Sequence, residues 1–165
     1  MHRSKILVLL ATILCVFCMG VIECVVAGET IKLTATATSI NTKWHQIEVG
    51  DAEGHIIAVM ENTQLWVSDP AGEKWTARSR GTMDLNTKTG QGTMQGYGVY
   101  TYSNGDKRFG KWEGKLVGKG QYEGTWSDIG GTGKYDGCTG GGTWAATSMG
   151  PGISEITAEG ERTFK

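Results

Sequence analysis

The sequence predicts an all-β protein: a single antiparallel barrel of eight or nine strands behind an N-terminal signal peptide. Three observations predict it. After residue 30, apolar and polar residues alternate with the period of two that a half-buried strand requires. Twenty of the 26 glycines lie between Gly90 and Gly160, interleaved with aromatics and without a collagen-like repeat. The periodic runs are short and are separated by turn signals. A closed sheet is favoured over a sandwich because closure removes edges that would invite aggregation, and because the last run is long enough to pair with the first.

The elements follow in order. Residues 1–5 are short and basic, with Arg3 and Lys5, and residues 6–22 carry no charge, which is the layout of a secretory signal. Small residues in Val25-Val26-Ala27 place cleavage after Ala27, with a second option after Gly20 and an uncleaved anchor as the alternative. The domains are then residues 1–27, a signal, and residues 28–165, a barrel, which is expected to be secreted or periplasmic. Cleavage removes Cys15, Cys18 and Cys24, so Cys138 is left as one thiol with no partner in the chain.

In residues 31–38, Ile31, Leu33, Ala35 and Ala37 share one face. Residues 44–49 continue that strand, with His45, Ile47 and Val49 on one face. A turn over residues 50–54 leads to a long apolar strand over residues 55–67, bent near Glu61-Asn62. Pro70 favours the first central position of the next turn. A strand over residues 73–86 and a turn over residues 87–90 follow. Tyr100 to Ser103 leads into Asn104-Gly105, a dipeptide suited to a type I′ turn, and then into residues 106–112. Tyr122, Gly124 and Trp126 share a face in residues 121–127; residues 142–146 and 153–164 are the last strands. One helical turn is expected near residues 132–136.

Composition excludes several functions. The 165 residues carry 16 Lys+Arg against 17 Asp+Glu, net −1, which argues against a basic nucleic-acid surface. No Gly-Lys-Ser/Thr phosphate loop, no Gly-x-Ser-x-Gly elbow and no metal-ligand spacing is present, so no cofactor is expected. Asp51, Glu53 and His55 either gather around a cation or form a solvated loop. Cys138 lies in a turn with no adjacent His or Lys to activate it, which favours a structural thiol. The candidate ligand-binding residues are His45, Tyr97, Glu73, Asp84 and His55. His45 leads, because it shares the apolar face of Ile47 and Val49 and is expected to point inward. Trp66 and Trp75 either stack on a ligand or pack in the core.

The segment Gly130-Gly131-Thr132-Gly133-Lys134-Tyr135, between a strand with Trp126 and the strand of Trp144, resembles the Gly-Gly-Thr-Gly-x-aromatic segment of dirigent proteins and allene oxide cyclases. Secreted bacterial proteins of that barrel class share the look of Val49-Gly50-Asp51, Gly54-His55 and Gln95-Gly96-Tyr97. The resemblance covers residues 29–165 and implies an eight-stranded barrel, with dimers or trimers by analogy. It implies a small apolar molecule in the barrel mouth, bound, cyclised or steered without a cofactor. The plant enzymes' catalytic residues have no counterparts here, so whether the chain is an enzyme stays open. A rival resemblance, to MORN repeats, rests on Gly96-Tyr97-Gly98-Val99-Tyr100 and Tyr122-Glu123-Gly124-Thr125-Trp126, and would give a solenoid. The remaining alternative is an extracytoplasmic structural or interaction protein whose barrel is filled by side chains. None of these readings includes nucleic acid or stable membrane association after cleavage.

Overall fold

The computed structural model describes residues 28–69 and 71–165. The expected signal, its cleavage sites and three of the cysteines, as well as Pro70, lie outside the described residues. Eight strands run in sequence order around one closed antiparallel barrel: β1 (Thr30–Glu48), β2 (His55–Asp69), β3 (Lys74–Asn86), β4 (Gln91–Tyr102), β5 (Lys107–Gly118), β6 (Gln121–Gly131), β7 (Thr139–Gly150) and β8 (Ile153–Thr163). The last strand does pair with the first, from Thr30 opposite Thr163 to Ile40 opposite Ile153. A single 3-10 turn, Gly133–Tyr135, sits within the stretch where the sequence predicts one turn of helix. The closed ring overturns both the sandwich and the MORN-type solenoid, because every strand pairs with two neighbours and none stacks as a repeat.

The alternation read in residues 31–37 and 122–126 sorts those residues correctly, and the other strands bury their inner faces in the same way. Ala35, Ala37, Trp75, Ala77, Tyr100 and Ala158 are buried inside, and Ile31 and Leu33 pack against them. Tyr122 and Trp126 also face in, partly buried, packed with or lining the interior. The glycines of this face serve the tryptophans. Trp112 on β5 lies over Gly81, where a Cβ would come 2.6 Å from the ring, and Trp144 on β7 lies over Gly124, where the distance would be 2.8 Å. Trp144 Nε1 also donates to the Glu113 and Thr125 carbonyls at 3.2 and 3.1 Å. Bare backbone lets a large ring lie flat on neighbouring strands, which a tightly curved eight-stranded barrel needs.

Two expectations need correction. The first concerns β1. Asn41 pairs with Asn62 and Lys43 with Glu61, so Thr42 is an extra residue, a bulge; its hydroxyl donates to the Glu61 carbonyl at 2.9 Å. One inserted residue inverts the alternation downstream. Trp44 and Gln46 then sit opposite the inward Met60 and Ala58, whereas His45 and Ile47 sit opposite the exposed Val59 and Ile57. His45 is therefore exposed on the outer face rather than turned inward. The irregularity falls opposite Glu61-Asn62, where the sequence predicted a bend in the partner strand.

The second concerns the β4–β5 hairpin. Gly105 has φ +88°, but among the described residues no non-glycine residue, Asn104 included, has positive φ, so the turn is not type I′. Gly105 N–H donates to the Tyr102 carbonyl at 3.0 Å and Tyr102 N–H to the Asp106 carbonyl at 3.0 Å, the pattern of a three-residue loop ending in a left-handed glycine. Asn104 acts through its side chain, accepting from Asp106 N–H at 3.0 Å and donating to the Asp106 carboxylate at 2.9 Å.

Candidate functional site

The barrel is closed at one end and open at the other. The closed end carries the β2–β3, β4–β5 and β6–β7 connections. Across it runs a chain of aromatic rings: Trp66 and Trp75 stacked at 6.2 Å, Trp75 and Tyr102 at 5.5 Å, Tyr102 and Tyr135 stacked at 4.3 Å, Tyr135 and Phe164 at 5.7 Å. Trp66 and Trp75, 6% and 3% exposed, are core residues, not exposed stacking platforms. Tyr135 enters the floor from the 3-10 turn, so the glycine-rich segment after Trp126 seals this end. Cys138 is buried beside it, and burial pushes its thiol up, which keeps it protonated and unreactive.

Above the aromatics lies a buried ion cluster that sequence reasoning missed. Asp128, whose side chain is 0% exposed, accepts from Arg108 Nη1 with one oxygen and from Arg162 Nε with the other, at 2.7 Å for Arg162. Two glycines make room for it. Gly140 on β7 stands opposite both Asp128 and Arg162, and with no side chain there Arg162 reaches across the strand. Gly110 stands opposite Asp128 on β5, two residues after Arg108. The Arg108 guanidinium lies 3.7 Å over the Tyr100 ring, and its Nε donates to the Tyr102 hydroxyl at 3.3 Å. Burial works against the Arg108 charge, but the Asp128 carboxylate beside it holds the group protonated, above its ordinary value. Burial pushes Tyr100 up, so its phenol stays neutral. The sequence did carry a signal for this cluster. Asp128 is in phase with Tyr122, Gly124 and Trp126, and Arg108 is in phase with Gly110 and Trp112.

Between the ion cluster and the open end is a cavity of about 620 Å³, within the range of small-molecule sites. Its upper wall is apolar: Met60, Met83, Met94, Trp112, Tyr122 and Ile156. Its mouth lies between the β1 bulge and the β7–β8 turn, near Asn41, Trp44 and Ile153. Asn41 N–H still donates to the Gly152 carbonyl at 2.7 Å, but past the bulge β1 pairs with β2 alone, so the wall is open there. A larger depression runs over outward side chains such as Thr82, Gln95, Glu113 and Thr125, and is open surface.

None of the five sequence candidates lines the interior cavity. Tyr97 is 59% exposed on the outside, 5.8 Å beneath the Lys111 ammonium. Glu73 is exposed in the β2–β3 turn, where its N–H donates to Ser68 Oγ at 3.1 Å. The structure does bring His55 and Asp84 together, at the rim. His55 Nε2 lies 2.8 Å from Asp84 and Nδ1 lies 2.5 Å from Asp51. Hydrogen bonds to Asp84 and then Asp51 raise the His55 pKa above its ordinary 6.5, and the hydrogen bond to His55 lowers that of Asp51. Glu53 pairs with Lys88 instead, so the turn does not gather three ligands around a cation.

An eight-stranded antiparallel barrel sealed by a glycine-rich turn, with an internal cavity open at the other end, is the dirigent and allene oxide cyclase-like barrel fold. Among solved structures the chain is similar to two pterocarpan synthase dirigent proteins. PsPTS1 matches at TM-score 0.50 and 10% identity, over 84% of this chain and 97% of that one. GePTS1 matches at TM-score 0.53 and 10% identity, over 84% and 91%. No family model matches the chain, and no curated protein matches it.

Proposed function

We propose that the protein binds a small apolar molecule inside the barrel and acts by holding it in one conformation. The observation that carries this reading is the cavity of about 620 Å³ with an apolar upper wall and an open mouth, where a filled barrel would have no such space. Three methionines in that wall are adaptable, which suits a ligand of irregular shape. The lining offers little to acid–base chemistry. Among the described residues no Asp, Glu or His borders the cavity, and both oxygens of Asp128 are engaged by arginines. Holding and steering is thus the role the lining suits, and it is shared in kind with the steering proteins whose fold the chain has.

Titration with neutral apolar fluorophores such as N-phenyl-1-naphthylamine and pyrene tests this. Saturable binding of at least one probe at one site per chain is expected, lost in Ala146→Phe, which fills the cavity from β7, while the fold persists by circular dichroism. Absence of saturable binding by any probe would leave the barrel a structural or interaction module.

The reading also includes export. Residues 1–27 have the composition of a cleavable signal, and intact-mass measurement of protein recovered from a secreting host should show a chain starting at Gly28. A full-length, membrane-embedded product would overturn that.

A further inference from the structure

We propose that the cavity takes an amphiphilic organic anion, its apolar body against the methionines and its carboxylate against Arg108. The inference rests on the binding reading above and specifies the ligand's chemistry.

Charge is the first ground. Arg108, Arg162 and Asp128 are 4%, 3% and 8% exposed, and one carboxylate serves two guanidiniums. A buried cluster with one uncompensated positive charge is costly unless a counter-ion completes it. Tyr100 cannot be that counter-ion, because burial keeps its phenol neutral.

Unmet donors are the second ground. The indole N–H groups of Trp75 and Trp112, which both border the cavity, are buried without a hydrogen-bond partner, as is the Asn41 Oδ1 acceptor at its mouth; Arg162 Nη2 is also unpartnered, in the ion cluster behind the cavity wall. Arg108 also borders it, and with Nη1 on Asp128 and Nε on Tyr102 its Nη2 makes no hydrogen bond among the described residues. Buried donors are nearly always satisfied, so several left over around one space indicate an acceptor-bearing occupant. The charged side chains bordering the cavity are Arg108 and Lys43, both cationic.

Geometry is the third. The Tyr100 ring lies 3.7 Å beneath the guanidinium carbon and Asp128 holds one nitrogen, which restrains the Arg108 side chain. A restrained guanidinium is preorganised for a planar carboxylate. The apolar wall lies on the mouth side of Arg108, so a ligand would enter head first.

Matched pairs test this: 2-naphthoic acid, 4-phenylbutyric acid and dodecanoic acid, each against its methyl ester, titrated into the purified protein at pH 7.5. At least one acid is expected to bind about tenfold or more tightly than its ester. In Arg108→Met that preference should fall below about threefold while the ester still binds. Should Arg108→Met fail to fold, the wild-type protein decides: acid affinity should drop as pH falls through the acid's own pKa while ester affinity stays level. Acids and esters binding alike, or a preference that survives in Arg108→Met, would overturn the anion proposal and leave the apolar cavity standing. If neither acids nor esters bind, the binding reading itself falls.

Discussion

At the floor of the barrel, five aromatic rings and a carboxylate shared by two arginines occupy the space between the strands. At the mouth, methionines line an opening, and β1 runs on past its bulge with β2 as its single neighbour. Both ends are made by the same strands; they differ in side-chain chemistry and in the β1 bulge, which inverts that strand's alternation at the mouth. Stacked rings and charge-assisted hydrogen bonds have directional requirements and specify one packing. Methionines have three flexible bonds and tolerate many. One end therefore holds the ring closed and in register, and the other keeps open space, which the binding proposal fills.

Substitutions at the two ends should differ accordingly. Asp128→Ala should have the largest effect, a loss of about 3–5 kcal/mol in denaturant melts, because it leaves two buried guanidiniums without their counter-ion. A loss below about 1 kcal/mol would mean that water reaches the cluster and that the floor is not sealed. Met83→Ala at the mouth should cost about 2 kcal/mol, the low end for such a truncation, because its side chain already borders open space. Its effect on probe affinity should exceed that of Asp128→Asn; the reverse order would break the division into structural floor and binding mouth.

Gly105→Val, in the hairpin below the floor, should cost about 1–2 kcal/mol, since a β-branched residue is strained at the positive φ found there. Asn104→Gly should cost about 0.5–1 kcal/mol through its two lost hydrogen bonds to Asp106, which are exposed. Equal losses for the pair would place the strain elsewhere in the loop.

The smallest effect is electrostatic and sits at the mouth end. His55 has a raised pKa in the folded chain, so its pairing with Asp51 and Asp84 contributes stability fully below about pH 6.5. That contribution is lost as pH rises through the folded-state value. Asp51 is the opposite case: its contribution is present above its ordinary 3.8 and is lost as pH falls through the lowered folded-state value. His55→Gln should therefore flatten the decline in stability above pH 6.5. An NMR titration placing the His55 midpoint at or below 6.5 would refute the clamp.

Much of this architecture was legible in the sequence, because period two is a local property. Ile31 to Ala37 and Tyr122 to Trp126 declare their inner faces without reference to any other strand, and Gly130 to Tyr135 declares the turn that seals the floor. The candidate site was not legible in the same way. His45 shared an apolar face, as read, but the extra residue at Thr42 turned that face outward, and a bulge is defined by its partner strand. Asp128 lies 20 residues from Arg108 and 34 from Arg162 in sequence. Their meeting depends on Gly110 and Gly140 standing opposite in register. Which residues alternate and where the chain turns could be read locally, since both follow from backbone geometry over a few residues. Which apolar face became surface, which charges were buried together and whether the barrel kept a cavity were decided by the tertiary structure alone, since strand register and packing set all three.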